Sequence, residues 1–208
     1  MRVAGYIVTE RGKEMLISEK GLARCLNRAY KRKGYTLQQI GNDLCIYTES
    51  WFVRMPWKNL PRKALAVIVE HAGYTYVGED ALYIIKGEEP QTVMPDVVGD
   101  DLDDWLNADA VEVVTYVPAL LKGLQLYQVN SGAGNCYGVP PEALELLDGP
   151  TAFLVSGTVM TGERIKWRHE DETVLLRCVR GAESYLSTAE EKKIWRALEG
   201  VNLHPKEG

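Results

Sequence analysis

The sequence predicts an α+β protein, a mainly antiparallel sheet with helices on one face, whose N-terminal half holds two helix–strand–strand repeats. Three observations carry this. The tripeptide Gly34-Tyr35-Thr36 returns as Gly73-Tyr74-Thr75. An amphipathic segment precedes each copy, and short extended runs separated by polar turns follow each copy.

The elements follow in chain order. RVAGYIVTERGKEMLIS reads as an opening hairpin. In the first helix, over 20–33, Leu22, Cys25, Leu26, Ala29 and Tyr30 share one face. In the second, over 59–72, Ala64, Leu65, Ile68, Val69 and Ala72 do the same. Asn59 suits its N-cap and Pro61 its first turn. Gly34 and Gly73 each stand where a helix ends in a left-handed residue. The turns Gly41-Asn42-Asp43 and Gly78-Glu79-Asp80 then separate paired strands. These elements form one α+β unit over residues 1–95. An acidic helical connector spans 96–110, with Leu102, Trp105 and Leu106 on its buried side.

A second α+β unit spans 111–208. It holds a strand in VEVVTYV, a short helix in PPEALELLDG, and strands that turn at Thr161-Gly162 and again near His169–Glu172. Its last helix starts near Ala189. Ser187-Thr188 followed by Glu190-Glu191 is a capping-box pattern, and Ile194, Trp195 and Leu198 form the apolar face.

Charge divides the chain. Between Arg11 and Lys63 twelve basic residues stand against four acidic ones, a surplus of +8. The whole chain carries −5, so the remainder carries −13. Such an asymmetry concerns partners rather than fold. The hydrophobic fraction is 46%, enough for a core without staples. No apolar run reaches membrane-spanning length and the opening residues do not form a signal-peptide core, so a cytoplasmic protein is expected. Cys25, Cys45, Cys136 and Cys178 are scattered without a CxxC pair, which fits buried thiols better than zinc or disulfides.

Several stretches invite chemistry. In NSGAGNCYGV, residues 130–139, Gly132 and Gly134 begin a GxGxxG pattern, but Tyr137 stands where the third glycine belongs, and no GK[ST] loop exists. The stretch therefore reads as a turn. Cys136 lies just before a helix start, which can lower a thiol's pKa, yet none of His71, His169 and His204 is spaced to serve it. His71 reads as a charge partner for the end of the second helix. HEDET at 169–173 departs from HExxH at its last position. Asp100, Asp101, Asp103 and Asp104 resemble a hard-metal cluster, but they lack the EF-hand pattern and suit a helix N-terminus. No cofactor or metal is expected.

The basic region is more informative. Lys20, Arg24, Arg28 and Lys31 form one helical stripe opposite Leu22 and Leu26, and Arg32 and Lys33 extend it. Downstream, Tyr47, Trp51, Phe52 and Trp57 interleave with Arg54, Lys58, Arg62 and Lys63. Cations beside aromatics can meet phosphates and bases, or an acidic protein surface.

In size and in style, rather than in any motif, the chain resembles the small accessory proteins of phages and mobile elements, anti-CRISPR inhibitors among them. That likeness implies a non-enzymatic inhibitor or regulator of a host protein complex. The partner would be a protein, or a protein–nucleic acid complex, with an acidic surface. Lys20, Arg24, Arg28, Lys31, Arg54, Trp57 and Lys58 would make the contact, and Asp100, Asp101, Asp103 and Asp104 would form a second contact or a mimic surface. The alternatives are a module that binds DNA or RNA through the same stripe, and a cysteine-dependent enzyme using Cys136.

Overall fold

Ser18 opens the first described helix. Its hydroxyl accepts the Gly21 N–H at 3.2 Å, and Glu19 follows at the positive end of the helix dipole. The structure is a computed structural model and describes residues 15–73, 80–93, 102–130, 132–148, 156–180, 186 and 188–204. The expected opening hairpin, the strand of the second repeat at 74–79, Asp100 and Asp101 lie outside these residues.

The first half comprises α1 (Glu19–Lys31), β1 (Tyr35–Ile40), β2 (Asp43–Tyr47), β3 (Trp51–Pro56), a 3₁₀ turn at Trp57–Asn59, α2 (Arg62–Ala72), β4 (Ala81–Ile84) and β5 (Gln91–Val93). Helix α3 (Leu102–Leu106) follows. The second half comprises β6 (Ala110–Leu121), β7 (Leu124–Val129), β8 (Cys136–Val139), α4 (Pro141–Leu144), β9 (Gly157–Met160), β10 (Arg164–His169), β11 (Glu172–Arg177), β12 (Val179–Arg180) and α5 (Ala189–Glu199).

These strands make one antiparallel sheet, in the order β12-β8-β7-β6-β9-β10-β11-β3-β2-β1-β4-β5. The two halves are therefore continuous. Strand β3 pairs with β11 through Val53–Val174 and Phe52–Leu175. Local turn chemistry sets the hairpins. Lys122 and Gly123 both have positive φ, 51° and 79°, and connect β6 to β7 in two residues.

Alternation along the strands sorts the core into two faces. Leu37, Ile46, Val53, Val174, Trp167, Tyr127 and Tyr137 point to one face, where they meet Leu22 and Leu26 of α1 and Ala64 and Ile68 of α2. Leu26 is fully buried there, and Leu26→Ala would remove about 3 kcal/mol. Cys45, Phe52 and Leu175 point the other way and are covered by Leu102 and Trp105 of α3. Buried Arg164 lies over the Trp105 ring at 4.4 Å from its centroid, a cation–π contact that holds α3 down. Trp195 of α5 covers Leu126 and Cys136 on the same side as α3. Helices α1 and α2 thus form the expected layer, and α3 and α5 add cover to the opposite face.

Most local expectations hold. Gly34 and Gly73 have φ of 75° and 77°, and their N–H groups donate to Ala29 O and Val69 O. Thr188 and Glu191 form the capping box of α5. The turns after β9 and β10 fall at 161–163 and 170–171. Three expectations need correction. Pro61, not Asn59, is the N-cap of α2; Asn59 is held in the preceding 3₁₀ turn and its amide reaches Asp171. Ile194 is 44% exposed, because only Trp195 of that helix turns fully onto the sheet. His71, in the last turn of α2, is engaged by two aromatic side chains rather than by the helix end alone. Tyr30 stacks on its ring at 3.8 Å and 9°, the Tyr35 hydroxyl lies 3.2 Å from Nδ1, and burial lowers its pKa.

Candidate functional site: a basic groove beside a structural seam

The α1 stripe meets the second half of the chain. At its start, Ser18 N–H donates to Leu146 O at 2.8 Å, and Asp148 N–H donates to Leu16 O at 2.9 Å. A Cβ added at Gly21 would lie 1.5 Å from Glu145 O, so only glycine permits this approach. One turn on, Arg24 Nε donates to Glu145 Oε2 at 2.7 Å. Arg28 reaches the same oxygen at 3.2 Å and donates to Glu142 O at 2.7 Å. Burial alone would raise the Glu145 pKa, but the Arg24 and Arg28 contacts outweigh it and hold the carboxyl below its ordinary value. Arg24 and Arg28 therefore fasten one half of the molecule to the other.

The other predicted contact residues are dispersed. Lys20 and Lys31 are exposed at the two ends of the stripe. Arg54 alternates with Val53 and Met55, so it extends from the opposite face of the sheet, where Nε and Nη2 hold Asp43 at 2.8 and 2.7 Å. Trp57 packs half-buried against the core, and Lys58 is exposed beside it. Asp103 and Asp104 belong to α3, which covers that opposite face. The structure joins part of the stripe into one surface and leaves Arg54 and the acidic helix elsewhere.

Beyond the seam lies a groove of about 960 Å³. Its walls are the last turns of α1, the β2–β3 turn, the residues around α4, and the ends of β4, β5 and β11. Among the described residues, Arg28, Arg32, Lys33 and Arg177 line it against the carboxylates of Glu49 and Glu142, a surplus of positive charge. Arg32 makes no ion pair among the described residues. Lys33 Nζ holds Glu49 at 2.7 Å with both side chains largely exposed. Thr48 organises the turn that carries Glu49, its hydroxyl accepting the N–H groups of Ser50 and Trp51. The Tyr83 hydroxyl donates to Lys33 O and steadies the far wall.

Of the aromatic residues expected beside the cations, Tyr47 and Trp51 line this groove but offer it little surface, and half-buried Tyr83 lines it as well. Tyr47 is 3% exposed, Trp51 5% and Phe52 0%. Their rings belong to the core, so the alternation of aromatic and basic residues in the sequence does not become a stacking platform.

The loop around Cys136 turns a corner, as its sequence suggests. Val129 N–H donates to Asn135 O, and Gln128 pairs with Cys136 across the hairpin. A Cβ at Gly134 would meet Val129 at 2.6 Å, so tight packing explains this glycine. Cys136 is fully buried, and burial, with a contribution from Glu199, pushes its thiol up to about 11. Its surroundings thus disfavour the reactive thiolate at neutral pH.

Sequence missed Arg177, Glu49 and Glu145. Each lies in an unremarkable run, and only the fold brings it to α1. Among the described residues, no group of three His, Cys, Asp or Glu side chains could hold a metal ion, and no helix is long and apolar enough to cross a membrane.

No protein-family model matches the chain, and no curated protein is significantly similar to it in sequence. Among solved structures, it is similar to a putative DNA polymerase III beta subunit from Eubacterium rectale, with 9% identity over 83% of this chain and 67% of that one. The TM-score is 0.33, and a likeness this loose carries no statement about function.

Proposed function

We propose that the protein is a non-enzymatic interaction module that receives an acidic segment of a partner protein in the groove beside α1. One observation supports this most: among the described lining residues, four cations from two parts of the chain, the end of α1 and the end of β11, outnumber the two carboxylates of Glu49 and Glu142. Opposed charges across such a surface speed encounter and select partners. A regulator or inhibitor of a host complex would work in this way, by occupying a surface rather than turning over a substrate.

Burial of Tyr47, Trp51 and Phe52 favours an acidic protein segment over single-stranded nucleic acid, because among the described lining residues Tyr83 alone keeps a partly exposed ring for a base to stack on. The two partners separate in one titration. A fluorescent hexa-aspartate peptide is expected to bind, more weakly as salt rises, and to lose binding in Arg32→Glu. Absence of peptide binding at low salt would reject this function. Tight binding of an oligothymidylate with none of the peptide would assign the groove to nucleic acid instead.

A further inference from the structure

We infer that Glu49 is a built-in competitor for the groove, occupying Lys33 in place of a partner carboxylate and so setting the affinity for acidic segments. This rests on the function proposed above and deepens it. Lys33 is a groove cation that already shows the contact a ligand would make, with a carboxylate oxygen 2.7 Å from Nζ. That carboxylate belongs to a tight turn, held by the hydrogen bonds of Thr48 to Ser50 and Trp51. Glu49 therefore stays at the rim in every copy of the molecule, at a high effective concentration. The pair is also easily opened. Lys33 is 75% exposed and Glu49 62%, and an ion pair in that much water is weakly held. Arg28 differs: Glu145 and the Glu142 carbonyl hold it from a less exposed seam. An incoming acidic chain thus meets Arg32 without an ion pair, exchanges with Glu49 at Lys33, and leaves the seam intact.

The test is a double-mutant cycle read by anisotropy of the fluorescent hexa-aspartate peptide. Glu49→Gln is expected to tighten binding by about fivefold, because one weak competing pair is removed. In the Lys33→Gln background the same substitution is expected to change affinity by less than about twofold, since the contested cation is gone. An equal gain in both backgrounds would overturn the proposal, because it would show that Glu49 acts only through the general field of the groove. No gain in either background would overturn it too, while leaving the groove as an acidic-segment site provided that Arg32→Glu still abolishes binding. If the wild-type protein does not bind the peptide, both the function and this inference fail. Thermal unfolding of each variant checks the fold. Both side chains are exposed, so the midpoints are expected to agree closely.

Discussion

The buried carboxylate of Glu172 accepts the backbone N–H groups of Leu16 and Ile17, at 2.8 and 3.2 Å. Glu172 is only 4% exposed, and it begins the strand that joins the two halves of the sheet. A side-chain oxygen that serves two buried donors spares both from being left unpaired. Glu172→Ala would strand those N–H groups and is expected to cost about 2–3 kcal/mol in urea unfolding. Stability unchanged within error would show that water satisfies the two amides equally well.

Gly21 offers a test with an unusual sign. In an exposed helix interior, Gly→Ala stabilises by roughly 1 kcal/mol. Here the new methyl would collide with Glu145 O, so Gly21→Ala is expected to destabilise by about 2 kcal/mol. Chemical denaturation decides between the two outcomes. A stabilised variant would mean that α1 and the 142–148 segment do not touch as described.

The imidazole of His71, stacked on Tyr30, predicts a pH dependence. Its pKa is lowered first by burial, against the pull of Glu70 and with a further push from Lys31. The unfolded chain therefore takes up this proton before the folded protein does. The stabilising contribution is complete above about pH 6.5 and is lost as pH falls from there through the lower folded value. Unfolding free energies at pH 7.5 and 5.5 should differ more for the wild type than for His71→Gln. Parallel losses in the two proteins would assign the acid sensitivity elsewhere.

Burial is the main cause that raises all four thiols. Cys25 and Cys136 are pushed up to about 11, and Cys45 and Cys178 to about 12. The folded protein at pH 7.5 is expected to react with a disulfide reagent far more slowly than the urea-unfolded chain. Rapid labelling confined to Cys136 would contradict its placement and restore the enzyme alternative.

What could be read in advance was whatever depends on near neighbours. The left-handed glycines after α1 and α2, the capping box of α5 and the turns between β9, β10 and β11 are each fixed by residues within a few positions. So is the shared face of Lys20, Arg24, Arg28 and Lys31. What that face meets is a different matter. Glu145 lies 121 residues from Arg24, and Glu172 lies 156 from Leu16. No periodicity in one sequence signals such a pairing. The interleaved aromatics misled for a related reason: along a strand of this sheet both faces are covered in places, so Trp51 and Phe52 are buried on opposite sides. The groove arises where these long-range contacts bring α1, the β2–β3 turn and the end of β11 together, and no local stretch encodes it.

The pairing of β3 with β11 also bears on how the protein is made. A ribosome delivers residues 51–56 long before residues 172–177, so the early part of the chain waits for a strand still to be synthesised. Until then β3 is an open edge, and the apolar residues of α1 lack the segment around Leu146 that closes over them. Contacts so distant in sequence slow folding and prolong the exposure of adhesive surface. Emergence of β11 is thus the event that allows the first half to settle, and chains that stop ahead of residue 172 should be insoluble.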